Sequence, residues 1–187
     1  METQKTDRRV KYSVMVIKES FVKILKQKSI SKITIKEICE GADVNRATFY
    51  AHFSDQYDLL NQIENEQIDS IDQYLSSHNF RGKFNEPNEM LINILDYIKG
   101  NAELFDLLLN SNGDIEFREK LTTIIGEQHF SSLTKNKDDS EYVFLFFANG
   151  CIGVIQKWLK DGLKKSAEEM AELIAKVASN GKVYFVD

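Results

Sequence analysis

The sequence predicts an all-α fold with about nine helices. Apolar residues recur every three or four positions along most of the chain, which is the spacing of one helix face. The 187 residues include one proline and nine glycines, which leaves few of the turns that a β architecture requires. Helix-start signals precede two of the apolar stretches, at Thr34 and at Ser166.

The first helix is predicted over residues 7–27. Its lysines fall between the apolar positions and stay exposed, where they could serve solubility or contact phosphates equally well. The apolar residues follow one another at steps of four and three and therefore share one face: Val10, Val14, Ile17, Phe21 and Ile24.

Two short helices are predicted to follow. Thr34 and Glu37 have the spacing of a capping box, in which each side chain bonds a free backbone N–H at a helix start. Gly41 is predicted to form the turn that ends this helix, and Asn45 to cap the next one. Two short helices joined by a turn and braced by a longer helix have the layout of a helix-turn-helix motif. An ordinary three-helix core with an arbitrary surface is the alternative.

The second short helix is predicted to read DNA. Phe49 and Phe53 are expected to point into the core. The other side chains point outward, where the small ones let the backbone approach base edges and the larger polar ones can reach phosphates. These outward positions are Arg46, Ala47, Thr48, Tyr50, Ala51 and His52.

The formal net charge of −5 is unevenly distributed. Residues 1–53 carry eleven basic and six acidic residues, a net charge of +5. The rest of the chain carries 13 basic and 23 acidic residues, a net charge of −10. A basic N-terminal region followed by an acidic remainder suggests that only the former meets a polyanion, with a chance fluctuation as the alternative.

The stretch from Ile33 to Phe53 resembles the N-terminal domain of TetR-family regulators, whose pattern is roughly T-x-x-x-I-A-x-x-A-G-V-S-x-x-T-x-Y-x-H-F followed by a lysine and a leucine. Many positions agree in one register, and the match covers residues 8–60. The agreeing residues include Glu37, Ile38, Tyr50, His52, Phe53 and Leu59. Three residues depart from the pattern. Cys39 stands where the family has alanine, Asp43 where glycine is common, and Gln56 where the family has lysine.

The resemblance implies a transcription regulator with a DNA-binding domain at residues 1–53 and a helical ligand-binding and dimerisation domain at residues 54–187. We expect a repressor that binds a palindromic operator as a homodimer and is released by a small-molecule effector. Because Gln56 replaces the family's lysine, a neutral side chain makes one of the phosphate contacts. This should slightly reduce the salt dependence of DNA binding. The resemblance places the DNA backbone beside Thr34, Asn45, Arg46, Tyr50 and His52, and the bases near Lys36, Ala47 and Thr48.

Helical patterns continue beyond residue 53. Asp55 is predicted to cap a long fourth helix that runs to about Leu75. Residues 78–88, which include the one proline, and residues 135–140 are predicted to be linkers. The remaining helices are predicted over about residues 90–98, 104–108, 115–130 and 141–163, and from Ser166 to a stop at Gly181.

The last two helices are apolar enough to pair with a second copy, although packing within one protomer is the alternative. The predicted interface residues are Phe144, Phe147, Gly150, Ile152, Gly153 and Trp158. A set of aromatic and histidine side chains could line a ligand cavity, although core packing explains each of them as well. This set is Tyr74, His78, Tyr97, Phe105, His129, Phe130 and Trp158.

Other functions have weaker support in the sequence. The two cysteines and three histidines lack the spacing of a disulfide framework or a metal site, so we expect no metal or cofactor. The chain start lacks the apolar segment of a signal peptide, and the apolar run over residues 143–155 is shorter than a membrane span, so we expect a cytoplasmic protein. No phosphate loop or nucleophile motif suggests an enzyme. A coactivator or interaction protein that works through another regulator is the alternative to a repressor.

Overall fold

The part of the chain described by the computed structural model consists of nine α-helices and their connections, with no strand in those residues. The predicted all-α fold is therefore confirmed. The described residues are 2–77, 89–111, 115–129 and 137–183. The chain divides into two compact units, Met1–Glu66 and Gln67–Asp187.

The first unit is built on three helices and the beginning of a fourth. Its core contains the apolar positions that the periodicity predicts, among them Ile17, Phe21, Ile38, Phe49 and Phe53, each of which is almost completely buried. A 3₁₀ turn at Ile30–Lys32, which the sequence pattern does not predict, precedes the second helix. The helices are α1 (Glu2–Leu25), α2 (Ile35–Ala42), α3 (Arg46–Tyr50) and α4 (Gln56–Ser77).

The prediction that Gly41 forms the turn after α2 is wrong. Gly41 lies within α2, and Asp43 is the residue that ends the helix, with a left-handed φ of 52°. Gly41 instead lies against Ser20 of α1, where an added Cβ would collide with the serine hydroxyl. The missing side chain therefore allows α1 and α2 to pack closely.

The boundary between the two units falls inside α4, later in the chain than the predicted domain limit at residue 53. Two contacts tie the first half of α4 to the rest of the first unit. Lys18 of α1 forms an ion pair with Glu66, and Gln62 donates a hydrogen bond to the backbone oxygen of His52 at 3.3 Å. The first half of α4 is thus part of the unit that carries the helix-turn-helix motif.

The second unit contains the end of α4 and five further helices. A π-helical segment, Leu107–Ser111, continues the short α6, and α8 supports it through hydrogen bonds. Gln156 donates to the backbone oxygen of Leu109 at 2.6 Å, and Asn110 donates to the backbone oxygen of Gln156 at 3.3 Å. The helices are α5 (Glu89–Gly100), α6 (Ala102–Asp106), α7 (Ile115–His129), α8 (Lys137–Lys160) and α9 (Ala167–Val183).

Two predicted helix limits in this unit are wrong. Residues 137–140, assigned from their charge to a linker, form the first turn of α8. Gly181, assigned to the end of α9, lies inside that helix. A glycine does follow α8: Gly162 has a left-handed φ of 77°, and its N–H donates to the backbone oxygen of Leu159 at 3.0 Å.

The predicted capping box of α9 is confirmed. Glu169 donates its backbone N–H to the Ser166 hydroxyl at 3.2 Å, and the Glu169 carboxylate accepts the Ser166 N–H at 2.7 Å. The start of α9 then packs against α5 and α8 in a cluster of buried residues, namely Leu95, Trp158, Ala167, Met170, Ala171 and Ile174.

Helix α8 includes the one stretch of the described residues that is long and apolar enough to cross a membrane, Glu141–Lys160, with a mean hydropathy of 1.3. Core helices of soluble proteins have the same length and composition. About a third of the stretch is buried within the chain. Several large apolar side chains of α8 are therefore accessible in one protomer.

Candidate nucleic-acid interface

The start of α2 is held by a capping box whose carboxylate also forms an ion pair. The Thr34 hydroxyl accepts the backbone N–H of Glu37 at 3.3 Å, and the Glu37 carboxylate accepts the backbone N–H of Thr34 at 3.0 Å. Lys28 donates to the other carboxylate oxygen at 2.6 Å. The bonds from Lys28 and Thr34 lower the pKa of Glu37 to about 2. Thr34 is exposed, as a phosphate contact requires, but its hydroxyl already caps α2.

The start of α3 is held by Asn45. Its side-chain oxygen accepts the backbone N–H of Thr48 at 2.8 Å and the Thr48 hydroxyl at 3.0 Å. This cap leaves the Asn45 amide group as the donor that can reach a phosphate. The predicted cap is therefore confirmed, and it fixes the N-terminal turn of a helix of only five residues.

Buried aromatic rings hold α3 against the core of the first unit. The Phe49 ring contacts the Phe53 ring at a centroid distance of 5.5 Å and the Tyr50 ring edge-on at 5.6 Å. Phe49 and Phe53 are buried, as the sequence predicts, whereas Tyr50 is 56% exposed. A short helix is thus held by its inner side chains and leaves its other face accessible.

The outer face of α3 carries the residues predicted to meet DNA. Arg46, Ala47 and Tyr50 are exposed, and Thr48 and His52 are half-buried. Lys36 of α2 is also exposed, and its ammonium group lies 3.7 Å from the carboxylate of Glu40. All of the predicted contact residues in these two helices are therefore at least partly accessible.

An open depression of about 410 Å³ lies between α2 and the beginning of α3. Its two acidic residues are Glu40, which the sequence analysis did not identify, and Asp43, which it identified only as a departure from the family pattern. The four-residue spacing between Lys36 and Glu40 is a signal that could have identified the first of them. Seven residues line the depression: Lys36, Cys39, Glu40, Asp43, Val44, Asn45 and Arg46.

The junction between α3 and α4 is organised by two carboxylates. Asp55 caps α4 as predicted, because it accepts the N–H groups of Tyr57 and Asp58, both at 2.8 Å. Asp58 accepts the Ser54 N–H at 2.8 Å, and this bond, together with one from Gln62, lowers the pKa of Asp58. Gln56, the neutral residue at the start of α4, is half-buried.

Three of the seven predicted ligand residues, Tyr97, Phe105 and Trp158, have side chains that the structure describes. Tyr97 donates to the side-chain oxygen of Gln67 at 2.8 Å, and its ring meets that of Phe105 edge-on at 5.9 Å. Trp158 lies in the core cluster that includes Leu95 and Met170, and its indole N–H donates to the backbone oxygen of Lys165 at 3.0 Å. His78 and Phe130, and the side chains of Tyr74 and His129, lie outside the described residues.

Three of the six predicted interface residues are buried in the protomer, and the other three are at least partly accessible. The buried residues are Phe147, Ile152 and Trp158. Phe144 is half-buried, and Gly150 and Gly153 are exposed with open space around them. Among the side chains that the structure describes in these two helices, the exposed large apolar ones are Tyr142, Leu145 and Phe146 of α8 and Leu173 and Val177 of α9.

A short helix, α2, is followed after a turn by α3, whose outer face is accessible. In an all-α chain this is the architecture of a helix-turn-helix regulator. The family model for the bacterial regulatory proteins of the tetR family matches residues 22–63. A model for a transcriptional regulator C-terminal region, from the same family, matches residues 85–180, which is about half of the chain. The chain belongs to the TetR family of transcriptional regulators.

Individual relatives are distant. An uncharacterized HTH-type transcriptional regulator of Bacillus subtilis, YxbF, is 19% identical over 91% of this chain. This chain spans only 46% of the length of that relative. A TetR transcriptional regulator from Streptococcus agalactiae shares the fold, with a TM-score of 0.69, 21% identity and coverage of 94% of this chain and 98% of its own. FadR from Bacillus subtilis, solved with stearoyl-CoA, has a TM-score of 0.61 and 17% identity, with coverage of 88% and 96%.

Proposed function

We propose that this protein is a cytoplasmic repressor that binds a palindromic operator as a homodimer and releases it when a small molecule binds the second unit. The observation that carries the proposal is the accessible face of α3. Arg46 and Tyr50 are exposed on this helix, whereas Phe49 is buried in the core. A face of this kind can enter the major groove while the core of the unit stays intact.

The caps of α2 and α3 support this mode of binding. Thr34 and Asn45 are bonded to their own helix ends, so both helices keep their first turn without DNA. Little ordering is then needed on binding, which favours affinity. Arg46 supplies charge for phosphates or for a guanine edge, and Ala47 lets the backbone come close to the bases.

The exposed apolar residues of α8 and α9 support a homodimer. Tyr142 and Phe146 lie one helical turn apart, and Gly150 and Gly153 continue the same side of α8. Phe146 is 73% exposed, a high value for a large apolar side chain without a partner surface. Glycines at the far end of this strip let a second helix approach closely. The strip therefore suits the self-complementary contact of a twofold dimer.

The aromatic residues of the second unit support the proposal that this unit binds a small molecule. Gln67, a buried polar residue, bonds Tyr97, and Tyr97 leads to the buried rings of Phe105 and Phe117. Pockets for small molecules commonly combine apolar walls with a few polar anchors of this kind. FadR, which shares the fold, was solved with a small molecule, stearoyl-CoA. A ligand must favour the DNA-incompetent state by about 10⁴-fold to move the protein from 99% competent to 99% incompetent.

The test is a gel-shift titration with DNA from the promoter region of the protein's own gene. Tyr50→Ala should weaken binding strongly, whereas Tyr57→Ala, which removes a similarly exposed tyrosine of α4, should not. Fragments selected from random DNA should contain two half-sites whose centres are about 34–36 Å apart, or a multiple of this distance. Absence of a shifted band for any palindromic fragment at low salt would contradict the proposal.

A further inference from the structure

The N-terminal part of α1 is a basic and exposed segment of the first unit. Residues 8–18 contain four basic residues and no acidic residue. We call residues 8–12 the α1 arm. All five are exposed, whereas a helix that packs on the protein core buries a residue in every turn. Tyr12 is 63% exposed and Val10, at the end of the predicted apolar face, is 40% exposed. The arm therefore has little protein packed on it.

The direction of the arm follows from the contacts between α1 and α2. Lys28, just after α1, bonds Glu37 in the first turn of α2, and Ser20 bonds the backbone oxygen of Ile38 and lies against Gly41 near the end of α2. The two helices therefore run in opposite directions. The part of α1 that precedes Ser20, which includes Arg9, therefore extends beyond the C-terminal end of α2. From this end of α2 the chain turns into α3. At 1.5 Å per residue, Arg9 lies about 16 Å beyond Ser20.

We propose that the α1 arm is a second DNA contact, in which Arg8 and Arg9 bind phosphates outside the base pairs that α3 reads. This inference rests on the proposed function. The partner is the phosphate backbone because two adjacent exposed arginines, Arg8 and Arg9, offer bidentate donors to closely spaced phosphates. Asp7 directly precedes them, and no acidic residue follows them before Glu19. The contact carries no base specificity, so it adds affinity to any sequence that flanks the operator.

The test compares the wild type with Arg8→Gln/Arg9→Gln on two duplexes. One duplex ends at the outer edges of the selected half-sites, and the other extends about one helical turn, roughly 10 base pairs, beyond each edge. The control is Lys23→Gln/Lys26→Gln, which removes the same charge from two exposed positions, one in the last turn of α1 and one just after it. Melting temperatures of all three proteins establish that each is folded.

We expect the wild type to bind the longer duplex more tightly and with a steeper salt dependence. Loss of two phosphate contacts per protomer should reduce the slope of log K against log salt by about 1.8 per protomer, which is about a tenfold change per protomer between 50 and 200 mM salt. The arginine variant should bind both duplexes alike, and the lysine variant should resemble the wild type.

Two results would overturn the inference while the proposed function stands. In the first, the arginine variant keeps the wild-type preference for the longer duplex and the wild-type salt slope. In the second, the lysine variant loses as much affinity as the arginine variant, which would show a general charge effect. If the wild type binds neither duplex, the proposed function itself fails, and this outcome is distinct from both.

Discussion

Ser20 of α1 and Gly41 of α2 lie in direct contact, and the serine hydroxyl donates at 2.9 Å to the backbone oxygen of Ile38. This contact, in which Ser20 is buried, sets how closely the two helices approach. Because α2 leads directly into α3, the same contact helps to place the helix that we propose to read DNA.

Gly41→Ala should destabilise the protein by about 1–3 kcal/mol, because the new methyl group must displace Ser20 or separate the helices. Chemical denaturation measures the effect. Gly100→Ala is the control, since nothing lies near the added methyl group and alanine favours the helix, so it should be neutral or stabilising. Ser20→Ala should recover part of the lost stability in the Gly41→Ala background. An unchanged midpoint for Gly41→Ala would show that the contact does not limit the packing.

Asp43→Gly should stabilise the first unit by about 1 kcal/mol, because glycine adopts the left-handed conformation of this position without a Cβ penalty. It should also strengthen DNA binding, since it removes a carboxylate from the depression that contains Arg46. Asp43→Asn separates the two effects, because asparagine removes the charge without the freedom of glycine. Asn should raise DNA affinity with little change in thermal stability. Equal affinities of all three proteins would exclude an electrostatic role for Asp43.

Glu37→Gln should reduce stability at neutral pH but not in strong acid. Folding lowers the pKa of Glu37 from 4.5 to about 2, chiefly through the bond from Lys28 and then those from Thr34. The ionised carboxylate therefore stabilises the folded state above about pH 4.5, and this contribution is lost as the pH falls toward 2. Glutamine keeps the shape of the capping box. The free energies of unfolding of the two proteins should converge between these pH values, and a constant difference would contradict the assignment.

Phe146→Glu should dissociate the proposed dimer, because the charge would be buried against the partner copy. Sedimentation velocity measures the mass over a concentration series. Met15→Glu is the control, since Met15 is also an exposed apolar residue but lies in the first unit. Only the variant at Phe146 should become monomeric. A wild-type protein that is already monomeric at all concentrations would contradict the interface.

The pattern of apolar residues was sufficient to predict most helices and the inner face of the helix-turn-helix motif. Phe49 and Phe53 occupy the core as predicted, since helical spacing determines which side chains share a face. The caps at Thr34, Asn45, Asp55 and Ser166 were also predictable, because each depends on residues within a few positions of one another.

The roles of glycines and of apolar helix faces were not predictable in the same way. A glycine can end a helix or permit close packing, and the sequence does not distinguish these roles: Gly41 and Gly181 lie inside helices, whereas Asp43 ends α2. Apolar residues of α8 were likewise assigned to an interface without regard to their direction, and Ile152 and Trp158 are core.

The sequence alone determined the helical fold, the caps and the face of α3 that is free to meet DNA, because these depend on local spacing and on short-range hydrogen bonds. The tertiary structure decided the contact of Ser20 with Gly41, the direction of the α1 arm and the division of α8 between core and exposed strip. Those features depend on which helices pack together, and residues far apart in the chain settle that packing.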